Sequence, residues 1–185
     1  MISIPTLQTP RMMLIPSHPR MARETLDFYA RNAAHLQGVE PRWSEDFLTL
    51  SGQKMILRQE LRESRNAAGV RFWMARPEDG GRLCGCVALN HIIYGAFRSC
   101  FLAYKTDCTL LRQGYGAEAV NAAVDFAFRG LLLHRVEANI MPRNEASLAL
   151  ARRCGFREEG RSPAYLCIDG VWEEHIHMVR LNEAL

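Results

Sequence analysis

The chain has 185 residues, 48% of them hydrophobic and 23% charged, with six cysteines and a formal net charge of +3. At roughly 150 residues per domain this length fits a single domain, and the ordinary globular composition excludes disordered, collagen-like and disulfide-scaffold classes. The charge is too mild to make nucleic acid a direct partner, and no apolar run approaches the ~18 residues of a membrane span.

The first twenty residues break their apolar patches with prolines, so no secretory leader is legible there and a cytoplasmic location is expected. Arg11 to Ile15 reads as a first strand. Met21 to Gln37 reads as a helix carrying Leu26, Tyr29, Ala30 and Ala33 on one face. Ser44 reads as the N-cap of a second helix marked by Phe47, Leu50, Leu57 and Leu61. Val70 to Arg76, Leu83 to Ile93 and Phe97 to Thr106 follow as a meander of three strands separated by short turns. A helix over Glu118 to Phe128 carries Val120, Ala123, Val124, Ala127 and Phe128 in one stripe, and a strand over His134 to Met141 alternates Val136, Ala138 and Ile140 with Glu137, Asn139 and Met141. Glu145 to Arg153 is a short helix stopped by Gly155. Strands near Ala164 to Ile168 and Trp172 to Arg180 join through an Asp169-Gly170 hairpin turn. The fold class is therefore mixed α/β. The cysteines show no CxxC pair and read as small buried hydrophobes.

The most informative stretch is Arg112-Gln113-Gly114-Tyr115-Gly116-Ala117-Glu118, between a strand and a helix. Small residues there let backbone N–H groups approach a ligand, and a helix N-terminus favours an anion. Arg112 could add a charge-assisted contact to a phosphate. A P-loop is excluded because its Gly-Lys-Ser/Thr is missing, and the dinucleotide fingerprint because its third glycine is missing. An ordinary strand-to-helix turn remains the alternative.

Phe101 to Tyr104, the glycine turn and its helix resemble the acetyl-CoA motif of GNAT-type N-acetyltransferases. Asn144, Ser147, Leu150, Gly155 and Phe156 resemble that family's second motif, in the right order and at the right distance. A finer resemblance is to the RimJ/RimL branch, which acetylates ribosomal-protein N-termini, and within it to the RimJ side. It rests on Phe28 to Asn32, Gly95 to Phe97, His134 to Glu137, Met141 to Asn144 and Tyr165 to His175. The resemblance implies one GNAT domain over 1–185 with its core at about 10–182, and a mostly antiparallel sheet splayed at the cofactor site and flanked by about four helices.

It also implies acetyl-CoA as co-substrate, no metal, and direct attack by an amine in a ternary complex. Backbone groups of Leu102, Ala103 and Tyr104 would hold the acetyl carbonyl. Arg112, Gln113, Gly114, Tyr115, Gly116 and Ala117 would meet the pyrophosphate, and Asn144 and Ser147 would lie beside the pantetheine arm and the sulfur. Two positions depart from the family pattern: Leu111 stands where Gln or Arg is usual, and Ala151 where many relatives carry a proton-donating tyrosine.

Catalytic candidates follow from what acyl transfer needs: a neutral amine, a stabilised oxyanion and a proton for the thiolate. Ser147 is the first candidate acid and Tyr165 the second. Asn139 occupies the strand position where some relatives carry a glutamate base, with Glu137 on the same face. Deprotonating a lysine costs about 3 kcal/mol more than deprotonating an α-amine, so a weak base suits a protein N-terminus. His175 and His177 read as exposed strand residues rather than metal ligands. Arg143, Arg152 and Arg153 either meet the 3′-phosphate or form a solvated face.

Two rival functions stay open: acetylation of a small amine, for which Glu40, Glu45, Asp46, Glu173 and Glu174 would have to converge on an acidic cleft, and a weakly catalytic acyl-CoA-binding module. The expected partners are a protein N-terminus, a ribosomal protein's among them, or a small amine, with the chain a monomer or homodimer.

Overall fold

The computed structural model describes residues 4–185. Eight strands form one sheet: β1 (Leu7–Gln8), β2 (Met13–Pro16), β3 (Val70–Ala75), β4 (Leu83–Ile93), β5 (Ser99–Thr106), β6 (Arg135–Ile140), β7 (Arg157–Ile168) and β8 (Val171–Leu181). Their spatial order is β1-β2-β3-β4-β5-β6-β8-β7, and every pairing is antiparallel except β5 with β6. Four α-helices flank it: α1 (Ala22–Leu36), α2 (Leu50–Arg65), α3 (Tyr115–Asp125) and α4 (Glu145–Arg153).

Strand alternation sorts the core onto two faces. Trp73, Ala75 and Cys86 pack with Phe28, Tyr29 and Leu57 of α1 and α2. Phe72, Met74, Val87, Leu102, Val136 and Ala138 pack with Val120, Val124, Leu148 and Ala151 of α3 and α4. The α1 stripe differs from the expected one. Thr25, Phe28, Tyr29, Asn32 and Leu36 are buried while Ala30 is exposed. Asn32 displaces the apolar expectation because its polar atoms all find partners, described below.

Four further boundaries shift for local reasons. The α2 cap is Thr49, whose hydroxyl accepts from the Gly52 N–H, and Ser44 belongs to the preceding turn. The third meander strand starts at Ser99, because Arg98 adopts φ 41° and turns the chain after exposed Phe97. The α3 helix starts three residues early, at Tyr115, where Gly114 supplies a left-handed cap. β7 extends back to Arg157, a polar run with no alternation to read, held by backbone pairing to β8 with bulges at Glu158/Gly160 and Ser162/Leu166.

Candidate active site

The segment that leads into α3 is pinned before any ligand arrives. Asp107 is 3% exposed and accepts from the Thr109 N–H (3.0 Å), the Thr109 hydroxyl (2.8 Å) and Asn32 Nδ2 (3.1 Å), and it pairs with Arg31. Asn32 Oδ1 in turn accepts from the Cys108 N–H at 2.8 Å. Burial works against the Asp107 charge, but the donors from Thr109, Asn32 and Arg31 outweigh it and hold the carboxyl down at about 2. From the other side Arg11 pairs with Glu118 at 2.7 Å, donates to the Gln113 carbonyl at 3.0 Å and lies 4.1 Å over the Tyr115 ring.

So fixed, the chain turns through Arg112 (φ 61°) and Gly114 (φ 86°) into α3, and no side chain caps the first-turn N–H groups. Uncapped donors at the positive end of a helix form an anion site. Gly116 is required by packing: a Cβ there would stand 2.8 Å from Leu150 Cδ1 and 3.1 Å from Thr106 Oγ1. Arg112 and Gln113 are exposed, the Gln113 amide donating back to the Thr109 carbonyl, and Ala117 is partly buried against the core. The Tyr115 ring is buried, so at that position the backbone is what a ligand meets.

The sheet opens beside this turn. β5 and β6 pair only from Ser99/Arg135 to Phe101/Glu137, although β5 continues to Thr106 and β6 to Ile140. The backbone groups of Leu102 to Tyr104 on that side therefore have no strand partner. A cavity of about 540 Å³ fills the gap, and it reaches both faces of the sheet. Tyr104, Asn144 and Ser147 line its α4 side, and Tyr29, Lys105, Asn139 and His175 line its α1–α2 side.

On the α4 side, Asn144 caps the helix by accepting from the Ser147 N–H at 3.2 Å. That places the Ser147 hydroxyl 2.7 Å from the Tyr104 hydroxyl, which also reaches the Ser147 carbonyl at 3.0 Å. Burial pushes the Tyr104 phenol up to about 12, against a smaller opposite effect of the Ser147 bond, so it keeps its proton throughout the working range. Nothing local to Tyr104 announces a role for its phenol, because its partner lies 43 positions away. Ala151, the position of the missing tyrosine, is buried in the core.

On the other side, Glu137 Oε1 and Asn139 Oδ1 lie 3.0 Å and 2.6 Å from His177 Nδ1, and His177 Nε2 lies 2.8 Å from the Ser162 hydroxyl. A carboxylate only accepts, so Nδ1 carries the proton and Asn139 must present its oxygen to it. The Asn139 NH2 is then the end left for the cavity. The second Glu137 oxygen takes Arg135 at 2.7 Å, so this carboxylate is fully engaged. Lys105 is paired with Glu40. Burial opposes its charge, but Tyr29, Cys86 and Glu40 keep its pKa above the ordinary lysine value, which locks it as a cation. Tyr165 is not part of the cavity wall; its ring packs 5.0 Å from that of His177 and 5.8 Å from that of His175.

Neither histidine is an exposed strand residue as expected. His175 is 2% exposed and His177 half-buried, with the Tyr165 ring of β7 packed against both. The acidic residues do not converge: Glu40 pairs with Lys105, Glu173 with Arg143 and Glu174 with Arg161, while Glu45 and Asp46 are exposed on the α1–α2 connection. Arg143 also donates to the Gly38 carbonyl at 2.8 Å, tying the α1–α2 connection to β8, while Arg152 and Arg153 are exposed on α4.

Residues 11–157 match the model of the acetyltransferase (GNAT) domain. The chain belongs to the GNAT acetyltransferase family. It is 31% identical over 170 residues to the ribosomal protein uS5-alanine N-acetyltransferase of Escherichia coli, covering 92% of this chain and 87% of that one. It is 33% identical over 161 residues to "Probable N-acetyltransferase YjcK" of Bacillus subtilis, covering 87% and 88%. Among solved structures, the ribosomal-protein-S5-alanine acetyltransferase of Vibrio fischeri superposes with a TM-score of 0.91 at 27% identity, covering 97% and 98% of the two chains. Mycobacterium smegmatis RimJ, solved in complex with CoA-disulfide, superposes with a TM-score of 0.89 at 26% identity, covering 98% and 88%.

The chain is thus an acetyl-CoA-dependent GNAT N-acetyltransferase, and the expected splayed sheet is present. Its residues suit the co-substrate: the uncapped start of α3 for the pyrophosphate, and the open β5 edge with Ser147 and Tyr104 for the thioester end.

Proposed function

We propose that this GNAT enzyme transfers the acetyl group to the α-amine of a protein N-terminus, of the ribosomal-protein alanine kind, by direct attack in a ternary complex. The orientation of Asn139 carries the reading. With its oxygen committed to His177, it offers N–H donors on the acceptor side of the cavity, suited to the carbonyl that follows an α-amine in a peptide. No carboxylate there is free to serve as a strong base, and Lys105 is locked as a cation, which favours an acceptor that gives up its proton readily. The relatives in E. coli and V. fischeri, named for alanine acetylation of a ribosomal protein, support the same acceptor class. On this reading Ser147, backed by Tyr104, protonates the leaving thiolate, Asn144 holds Ser147 in place, and the enzyme works in the cytoplasm.

The test follows free thiol from acetyl-CoA against panels of N-terminal peptides and small amines. Release with alanyl peptides supports the proposal. Release with small amines alone overturns the acceptor, and CoA binding without release in either panel overturns catalysis. Paired cavity charges, Glu40 with Lys105 and Glu60 with Arg71, weigh against a polycation.

A further inference from the structure

We infer that His175 is the general base, taking the proton of the acceptor amine on Nε2. The inference rests on the acceptor reading above and adds to it the residue that makes the amine nucleophilic. His175 Nδ1 lies 3.0 Å from the Glu173 carbonyl oxygen. A carbonyl only accepts, so Nδ1 holds the hydrogen and the Nε2 lone pair is free. Among the described residues Nε2 has no hydrogen-bond partner, yet it is not among the solvent-sealed side-chain atoms that lack a hydrogen bond, which lie on the ion-paired Glu60, Arg71 and Arg76. The side chain lines the cavity that passes through the splayed sheet, on the face opposite Ser147.

His175 therefore stands on the acceptor side while the proton donor for sulfur stands on the cofactor side, the separation that direct attack requires. It shares that face with Asn139, the donor assigned to the peptide carbonyl. In the step, the amine nitrogen bonds to the acetyl carbon as its proton passes to His175 Nε2. The carbon–sulfur bond breaks, the thiolate takes a proton from Ser147, and the two proton sites re-equilibrate with solvent. Several groups set its surroundings. Glu173 and His177 lie on its own strand, Tyr165 and Ser162 face it from β7, and Asn139 and Glu137 of β6 hold the neighbouring His177. The Lys105–Glu40 pair lies on the cavity wall.

The experiment measures kcat/KM for an alanyl peptide from pH 6 to pH 9 in the wild type and in His175→Gln, with CoA affinity and Tm as controls. General-base catalysis is worth about 10²–10⁴-fold. A loss of at least ~100-fold is expected near neutrality, shrinking as rising pH deprotonates the amine in solution, with CoA affinity unchanged. A loss below ~3-fold, or one of constant size across the range, overturns the assignment. If His175→Gln unfolds, His175→Ala with added imidazole replaces it: rescue of rate supports the base, and no rescue in a folded variant overturns it. If the wild type acetylates small amines only, the acceptor proposal fails by itself, and the same pH comparison on that amine still tests His175.

Discussion

Replacing Asn32 by Ala perturbs the enzyme at a residue that never meets a substrate. Asn32 is 0% exposed and ties α1 to the entry of the glycine turn, donating to Asp107 at 3.1 Å and to the Phe28 carbonyl at 2.9 Å and accepting from Cys108 at 2.8 Å. The alanine variant removes the hydrogen bond to the Cys108 N–H, at ~1 kcal/mol, and one donor from the buried Asp107 carboxylate, at ~2 kcal/mol, so the sum is about 3 kcal/mol. For a chain of this size each kcal/mol moves Tm by ~2–4 °C, giving a drop of about 6–12 °C. Below that melting temperature the turn into α3 loses an anchor, so KM for acetyl-CoA rises while kcat changes little. Thermal unfolding and steady-state kinetics at low temperature test both parts. A Tm within ~2 °C of wild type, together with an unchanged KM, refutes the claim that this network positions the cofactor loop.

Three further outcomes follow. Ser147→Ala lowers kcat at least ~10-fold with CoA binding intact, and the Ser147→Ala/Tyr104→Phe double variant is no worse than the serine variant, since the two hydroxyls act as one unit; additive losses contradict the pairing. Gly114→Ala forces a side chain to φ 86°, costing about 1–2 kcal/mol and raising KM for acetyl-CoA, as read by melting and kinetics. Asp107, held at about 2 against an ordinary 3.8, contributes about 2 kcal/mol of stability that is complete above about pH 4. Because its folded pKa is the lower one, that contribution fades as pH falls from about 4 to 2. About 1 kcal/mol is already gone at pH 3. Denaturant titrations of wild type and Asp107→Asn at pH 6 and pH 3 should therefore converge by that amount, and a gap that stays constant contradicts it.

What the sequence disclosed was local. Gly114 and Gly116 announce a helix start because their spacing is short and their backbone requirement specific, and Asn144 and Ser147 lie within one helical turn. What it hid was tertiary. The Tyr104 phenol, unlike its backbone, becomes relevant only where β5 meets α4, and Asn32 only where α1 meets Asp107. The His175 and His177 spacing shows that they share a strand face, but not that the face is covered. The polar start of β7 is a strand through its backbone pairing to β8, which no alternation in the sequence announces. Thr49 displaced Ser44 as a helix cap because a turn intervenes after Trp43, and both residues have capping side chains.

Acetyl transfer to an N-terminal α-amine, as opposed to a lysine, is decided by one product analysis. The enzyme is given acetyl-CoA and an alanyl peptide with an internal lysine, and the modified nitrogen is located by tandem mass spectrometry. The acetyl group on the terminal amine, with the lysine untouched, is the predicted result; acetyl-lysine, or an unmodified peptide with CoA bound, contradicts it.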